Sequence, residues 1–278
     1  MTVEVGALTD AELDRETILD DLDSGRLRAA RPDPGAPGGW VAEAAVKRAI
    51  LARFAGRTTR DWDLGEPWQF RDRAGLPLKE LLDGPEARAA VAANRPWRIV
   101  PGGTTVRAGV WLGPGVVIMP PSFVNVGAWI GADTMVDSHV LVGSCAQIGE
   151  RVHLAAGVSI GGVLEPPGAR PVIVEDDAFI GAGSGLFEGV LVGRGAAIGA
   201  GVILTGTSRL YDLVRETVIV GTPDAPLVVP PGSVVVPGSR ELPGAFARTH
   251  GLSLTTAVIV KDRDAGTDAR VALEAALR

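Results

Sequence analysis

An aliphatic side chain returns at every sixth position over two long stretches of this chain. A period of six matches neither the 3.6-residue repeat of an α-helix nor a heptad, so no helix would keep these side chains on one stripe. A fixed short period is instead typical of a solenoid. The residues at these positions are Val106, Leu112, Ile118, Val124, Ile130, Val136, Val142, Ile148, Leu154 and Ile160, then Val174, Ile180, Leu186, Val192, Ile198 and Leu204.

The residues between these aliphatics are mostly small or turn-forming, with many Gly, Ala, Asp, Asn and Ser. Each hexad therefore predicts a short strand followed by a turn that tolerates positive φ. Three such strands complete one triangular turn, in which the sixth-position aliphatics point inward and stack along the axis. The pattern predicts a mainly β fold, a parallel β-helix.

The composition agrees with such a coil and limits the classes of function. Of 278 residues, 46% are apolar but only 5% aromatic, as expected for a thin prism with an aliphatic interior. The net charge of −6 argues against nucleic acid as a partner. No apolar run approaches the roughly 20 residues that span a bilayer, and the first residues lack a signal-peptide pattern. We therefore expect a cytoplasmic protein with no membrane partner, and the single cysteine, Cys145, fits a reducing compartment.

Three domains are expected from where the hexad begins and ends. Residues 1–100 lack it and carry helical signals, including a capping box of Thr9 and Glu12, so they predict a small, mainly helical cap. Residues 101–240 predict the coil with its inserted loops. Residues 241–278 predict a short C-terminal extension made of a strand and a final helix.

The hexad is interrupted twice, and insertions in a solenoid are where binding surfaces are usually built. The first interruption covers residues 161–173 and shifts the phase of the repeat by two residues. The second begins after Thr205. Both predict loops that project from a corner of the coil.

Several strings in and beside the coil resemble the tetrahydrodipicolinate N-succinyltransferases, a family of hexapeptide-repeat acyltransferases. They are Thr-Met-Val-Asp at 134–137, Gly-Ser-Cys-Ala-Gln-Ile-Gly at 143–149, Gly-Gly-Val-Leu-Glu-Pro at 161–166, Phe-Glu-Gly-Val at 187–190 and Ser-Arg-Leu-Tyr-Asp at 208–212. The likeness is strong from Arg98 to Lys261 and weak before that. It implies a left-handed coil, whereas the period alone does not give the hand and crossovers between parallel strands are normally right-handed.

The resemblance also implies a reaction. A succinyl group would pass from succinyl-CoA, a co-substrate rather than a tightly bound cofactor, to the amino group of ring-opened tetrahydrodipicolinate in lysine and diaminopimelate biosynthesis. Such a reaction requires an amine that loses its proton, a stabilised oxyanion, and cations for the carboxylates of both substrates. The family resemblance further implies a homotrimer with sites between subunits.

Two carboxylates match the catalytic positions that the resemblance implies. Asp137 would orient the substrate amine and take its proton, or would accept the acyl group as a transient mixed anhydride. Glu188 would be the second carboxylate, and two carboxylates that share a site can hold different protonation states. Without the resemblance, Asp137 would be read as a turn-capping residue and Glu188 as a solvated surface residue.

Four further residues are binding candidates on the same resemblance. Arg98, ahead of the coil, and more weakly Arg209 would pair with substrate carboxylates. Gly161 and Gly162 would let the pantetheine arm of coenzyme A approach the backbone closely.

One departure from the family pattern lies close to Glu188. The chain has Gly181-Ala-Gly-Ser-Gly185 where a member of the family has Gly-Ala-Arg-Ser-Glu, so two charged side chains of that member are missing at Gly183 and Gly185. The way in which Glu188 is held and neutralised is therefore open.

Other functions remain open at this point. Acetyl in place of succinyl would make the chain an N-acetyltransferase, and a coil without chemistry would be a scaffold or sugar-binding solenoid. A zinc hydratase would need three metal-binding histidines, but His139, His153 and His250 do not have that spacing, so we expect no metal. His139, two residues after Asp137, is a weaker candidate for the base.

Overall fold

The computed structural model describes residues 17–63, 65, 69–264 and 266–267. Most of them wind into a triangular parallel β-helix with three faces. Face 1 consists of β5 (Arg98–Ile99), β8 (Val117–Ile118), β11 (Met135–Val136), β14 (His153–Leu154), β17 (Phe179–Ile180), β20 (Ala197–Ile198) and the start of β25 (Ser233–Glu241). Face 2 consists of β6 (Thr105–Val106), β9 (Phe123–Val124), β12 (Leu141–Val142), β15 (Ser159–Ile160), β18 (Gly185–Leu186) and β21 (Ile203–Leu204). Face 3 consists of β7 (Trp111–Leu112), β10 (Trp129–Ile130), β13 (Gln147–Ile148), β16 (Ile173–Val174), β19 (Leu191–Val192) and β24 (Val228–Val229).

The hexad aliphatics form the core of this coil. Each is the second residue of its two-residue strand, and none is more than 3% exposed. Ile130 pairs in parallel with Ile148, so three hexads complete one turn and each inward side chain stacks on the equivalent one in the next turn. The predicted parallel β-helix is confirmed.

The N-terminal part combines helices with hairpins. The helices are α1 (Ile18–Asp23), α2 (Ala44–Ala55) and α3 (Pro85–Ala92), with a 3₁₀ turn at Pro37–Gly39. Two antiparallel hairpins are formed by β1 (Ala30–Pro32) with β2 (Trp40–Ala42) and by β3 (Thr59–Asp63) with β4 (Gln69–Arg73). The capping box of Thr9 and Glu12 lies outside the described residues, as does the expected final helix.

The N-terminal part packs on face 3 through an aromatic and cationic contact. The rings of Trp111 and Trp129 stack with centroids 3.7 Å apart, and the Arg28 guanidinium lies 4.1 Å from the Trp129 centroid. Arg28 Nε also donates a 2.6 Å hydrogen bond to Oε1 of the buried Gln147. Burial lowers the pKa of Arg28 to about 10. Because cation–π contacts strengthen when they are desolvated, this contact helps to fix the N-terminal part on the coil.

The C-terminal part extends the sheet of face 1. After β21 the chain forms β22 (Arg209–Asp212) and β23 (Thr217–Val220), and after the coil closes it forms α4 (Ala245–His250) and β26 (Ser253–Asp262). The strand order β23-β22-β26-β25-β20 joins this extension to face 1. Within the described ranges, no helix is long and apolar enough to cross a bilayer.

Candidate active site

A cavity of about 660 Å³ lies where the first interruption meets the corner between faces 2 and 3. It is lined by residues from segments 161–170, 187–189, 205–206 and 222–227. Both interruptions of the hexad therefore contribute to one cavity. The cavity contains three of the sequence candidates, namely Glu188, Gly161 and Gly162.

Glu188 lies at a turn whose backbone is left-handed. Its φ is +54°, and the next residue, Gly189, also has a positive φ of +72°. Seven other described non-glycine residues have a positive φ, five of them at corners of the coil, so this conformation belongs to the turns of the fold. Glu188 Oε2 accepts a 3.1 Å hydrogen bond from the Gly206 backbone amide, which ties the carboxylate to the second interruption.

A buried lysine on the N-terminal part hydrogen-bonds to the backbone of the inserted loop. Lys47, on α2, is fully buried, and its Nζ donates hydrogen bonds to the carbonyl oxygens of Ala169 at 2.6 Å and Pro166 at 3.4 Å. Desolvation lowers the pKa of this amine. Because a buried ammonium group requires such partners, Lys47 fixes the loop that forms one wall of the cavity.

At Gly161 and Gly162, neighbouring atoms of the same chain occupy the space where a side chain would begin. A Cβ atom at Gly161 would lie 2.8 Å from Cδ1 of Phe187, and one at Gly162 would lie 2.7 Å from the Ser144 backbone nitrogen. The ring of Phe187 therefore lies over Gly161. It also lies over Gly185, where a Cβ would be 2.5 Å from Cε2 of the ring.

Asp137 lies on a different corner, between faces 1 and 2. Its Oδ1 accepts a 2.7 Å hydrogen bond from the Ser138 amide, and its carbonyl oxygen accepts one of 2.9 Å from Ser122 Oγ. Its Oδ2 lies 4.0 Å from Nε2 of the buried His153. His139, the weaker candidate for the base, is exposed on the same turn. The imidazole beside Asp137 thus belongs to His153.

The two candidate arginines lie apart from the Glu188 cavity. Arg98 is exposed at the start of face 1 and pairs with Val117, which in turn pairs with Met135. It therefore lies two strands from the Asp137 turn, about 10 Å at the usual strand spacing. Arg209 is exposed at the start of β22, beyond the segment that lines the cavity.

Within one chain, the candidates thus form two groups. Glu188, Gly161 and Gly162 share the cavity at one edge of face 2, while Asp137 lies at the opposite edge of that face and Arg98 on face 1 beyond it. In the described part of the chain, no cluster of His, Cys, Asp or Glu has the arrangement of a metal site.

Residues that sequence reasoning missed are Lys47, Arg170 and the pairing of His153 with Asp137. His153 could have been found, because Met135 pairs with His153 one full turn later on the same face. Arg170 lies in the inserted loop and Lys47 binds that loop from α2. Neither residue is part of the hexad repeat, so the repeat does not predict their positions.

A coil of hexapeptides with a loop-built cavity and carboxylates on its corners is the architecture of a hexapeptide-repeat acyltransferase. Residues 171–206 match the family model described as the hexapeptide repeat of succinyl-transferase, and residues 9–55 match that of the tetrahydrodipicolinate N-succinyltransferase N-terminal region. Relatives 39–43% identical over 94–99% of this chain show that it belongs to the 2,3,4,5-tetrahydropyridine-2,6-dicarboxylate N-succinyltransferase family.

Relatives that carry this name match almost the whole chain. One from Idiomarina loihiensis is 43% identical over 99% of this chain and 93% of its own length. One from Methylobacterium sp. is 42% identical over 95% and 88%, and one from Dechloromonas aromatica is 39% identical over 94% and 88%. The N-terminal part, for which the likeness in sequence was weak, is therefore included in the family similarity.

Proposed function

We propose that this chain transfers the succinyl group of succinyl-CoA to the amino group of tetrahydrodipicolinate in its ring-opened form, L-2-amino-6-oxopimelate. The observation that carries this proposal is the full-length identity to relatives named for this activity. The same identity favours the transferase over a noncatalytic scaffold or a zinc hydratase. The product enters the succinylase branch of lysine and diaminopimelate biosynthesis.

The reaction forms one bond and breaks another. The amine nitrogen bonds to the thioester carbonyl carbon, the carbon–sulfur bond then breaks, and coenzyme A leaves as a thiol after its sulfur is protonated. Asp137 takes the proton that the amine loses, which supports attack by the neutral nitrogen. No resident cofactor takes part.

Glu188 binds the substrate ammonium group and relays its proton. Support comes from its position at the wall of the cavity and from the Gly206 amide that orients its carboxylate. Arg98 binds a substrate carboxylate from the Asp137 side, and Arg209 is the weaker candidate for the same role. Gly161 and Gly162 line the cavity, and the acyl-CoA thioester would bind against their backbone.

The complete site is shared between subunits of a homotrimer in the cytoplasm. Within one chain Asp137 and Glu188 lie on opposite edges of face 2, so one protomer does not bring them together. Face 2 carries exposed apolar side chains, with Leu141 38% and Ile203 49% exposed. A closed threefold arrangement would cover such a face and bring one corner of each coil to the other corner of its neighbour.

A donor and acceptor assay tests the proposal. We expect wild-type protein to release thiol from succinyl-CoA only when the acceptor is present, and at a much higher kcat/KM than from acetyl-CoA. Asp137→Asn should lower kcat by about 100-fold or more, as expected for the loss of a general base. A higher kcat/KM with acetyl-CoA would make the chain an acetyltransferase, and no acceptor-dependent thiol release with either donor would reject the enzyme activity.

A further inference from the structure

The cavity beside Glu188 is lined by a cation that has no partner among the described residues. Arg170 lines the cavity and is only partly exposed. Among the residues that the structure describes, no carboxylate lies within ion-pair distance of its guanidinium and no hydrogen bond from it is formed. Burial lowers the pKa of this guanidinium. A half-buried arginine without a partner loses hydration and gains no compensating contact, unless a ligand provides it.

The position of Arg170 is fixed on both sides. The carbonyl of the preceding residue, Ala169, accepts the 2.6 Å hydrogen bond from the buried Lys47. On the other side, a Cβ atom at Gly189 would lie 2.7 Å from the Arg170 carbonyl oxygen and 3.4 Å from its Cβ. The loop therefore packs directly on the Glu188–Gly189 corner. The side chains of Arg170 and Glu188 begin close together, line the same cavity and form no ion pair with each other.

The charges of the cavity select the kind of ligand. Two carboxylates, Glu165 and Glu188, and one guanidinium, Arg170, line it. A phosphate group with two charges would be repelled by the carboxylates and would have only one cation. An α-amino acid group presents an ammonium and a carboxylate on one carbon, which matches a carboxylate and a guanidinium that flank one space.

From this geometry we infer that Arg170 binds the α-carboxylate of the acceptor while Glu188 binds its α-ammonium group. This inference rests on the proposed function and names the residue that distinguishes an amino acid from a simple amine. Lys47 acts as a positioning residue for Arg170, because it holds the loop but does not line the cavity.

The first test is the steady-state kinetics of Arg170→Gln. We expect the acceptor KM to rise by about 10-fold to 100-fold, the range for losing a charged hydrogen-bonded pair, with the succinyl-CoA KM unchanged. Arg248→Gln is the matched control, because Arg248 is exposed on α4 away from the cavity and should leave both constants at wild-type values. An unchanged acceptor KM, or a rise in the succinyl-CoA KM alone, would overturn the inference.

The second test does not depend on catalysis. Calorimetry would measure binding of 2-aminoheptanedioate and of its 1-carboxamide, which lacks only the charge of the α-carboxylate. We expect wild-type protein to bind the free acid at least about tenfold more tightly, and Arg170→Gln to bind both about equally. Undiminished preference in Arg170→Gln would overturn the inference. Absence of succinyl transfer by wild-type protein would instead reject the proposed function and leave this binding result interpretable.

Discussion

The carboxylate of Asp137 faces the buried imidazole of His153, with 4.0 Å between Oδ2 and Nε2. The ring of Phe179 packs edge-on against the imidazole, with centroids 5.3 Å apart. The partner of Asp137 is thus provided by the next turn of the coil. His139, which follows Asp137 closely in sequence, is exposed.

We therefore predict that His153→Asn lowers kcat by about tenfold or more, because Asp137 loses the imidazole that lies 4.0 Å from its Oδ2 and can exchange a proton with it. His139→Asn is the matched control and should retain wild-type kcat. Steady-state kinetics with succinyl-CoA would measure both variants, with thermal unfolding to show that each is folded. Equal kcat values for the two variants would remove His153 from the site.

The fold could be predicted from the sequence because one period determines it. Every hexad from Val106 to Ile160 has one buried aliphatic residue and one turn. The local preference of each hexad is therefore consistent with the overall β-helix. The same arithmetic aligns His153 with Met135, two residues before Asp137, since equivalent positions recur after three hexads. The β-helix and the residue pairs in adjacent turns of one face can therefore be predicted from the sequence.

The cavity could not be predicted in the same way. Lys47 and Ala169 meet although they are far apart in sequence, and the hydrogen bond depends on how α2 docks on the coil. One of the two charged side chains missing near Glu188 is replaced by Gly185, and the ring of Phe187 occupies the space that a side chain at position 185 would need. Such contacts depend on the shape of an irregular loop, for which the repeat gives no register.

A second prediction concerns the shared site. If Asp137 of one protomer works with Glu188 of its neighbour, Asp137→Asn and Glu188→Gln chains should complement each other when they are co-expressed. With random equal mixing, each shared site has about one chance in four of combining an intact Asp137 with an intact Glu188. The mixture should therefore show about a quarter of the wild-type rate. The control replaces the Glu188→Gln chain by one that carries both substitutions, and it should show no recovery. Absence of recovery in the test mixture, with trimers present, would place both residues in sites of single protomers.

A third prediction concerns the buried lysine. Lys47→Met removes the donor to the carbonyls of Ala169 and Pro166, and we expect the free energy of unfolding to fall by about 1–3 kcal/mol. Because the loosened loop carries Arg170, the acceptor KM should also rise. Lys79→Met is the control, since Lys79 is buried in an ion pair with Asp23 outside the Glu188 cavity. That variant should lose stability without a change in KM. A normal acceptor KM in Lys47→Met would show that the loop keeps its place without the lysine.

A fourth prediction concerns pH and the corner between faces 3 and 1. Asp177 accepts hydrogen bonds from Arg151 at 2.6 and 3.1 Å, and these hold the pKa of the carboxyl below its usual range, with a smaller contribution from Arg194. A lowered folded-state pKa stabilises the fold above the unfolded value of about 3.9, and the contribution disappears as pH falls through the folded value.

Asp177→Asn should therefore unfold at lower temperature than wild type at pH 7, with a loss of about 0.2–1 kcal/mol for this partly exposed group. The difference should shrink as the pH falls below about 4. Asp224→Asn is the control, because Asp224 is exposed and has no ion pair among the described residues. A difference that stayed constant down to acid pH would mean that packing, and not charge, causes the loss.

The last prediction concerns the space between Gly185 and Phe187. A Cβ at Gly185 would lie 2.5 Å from Cε2 of the Phe187 ring and 3.0 Å from Cδ1 of Ile203, so Gly185→Ala must displace the ring. We expect a cost of about 1–3 kcal/mol, typical of overpacking. Phe187→Val removes the obstructing ring, so the double variant should be more stable than the sum of the two single effects predicts. Gly56→Ala is the control, because among the described residues no atom beyond its two chain neighbours lies within 4 Å of its added Cβ. Urea unfolding of the four variants would measure the coupling, and strictly additive losses would mean that the ring is not what excludes a side chain at position 185.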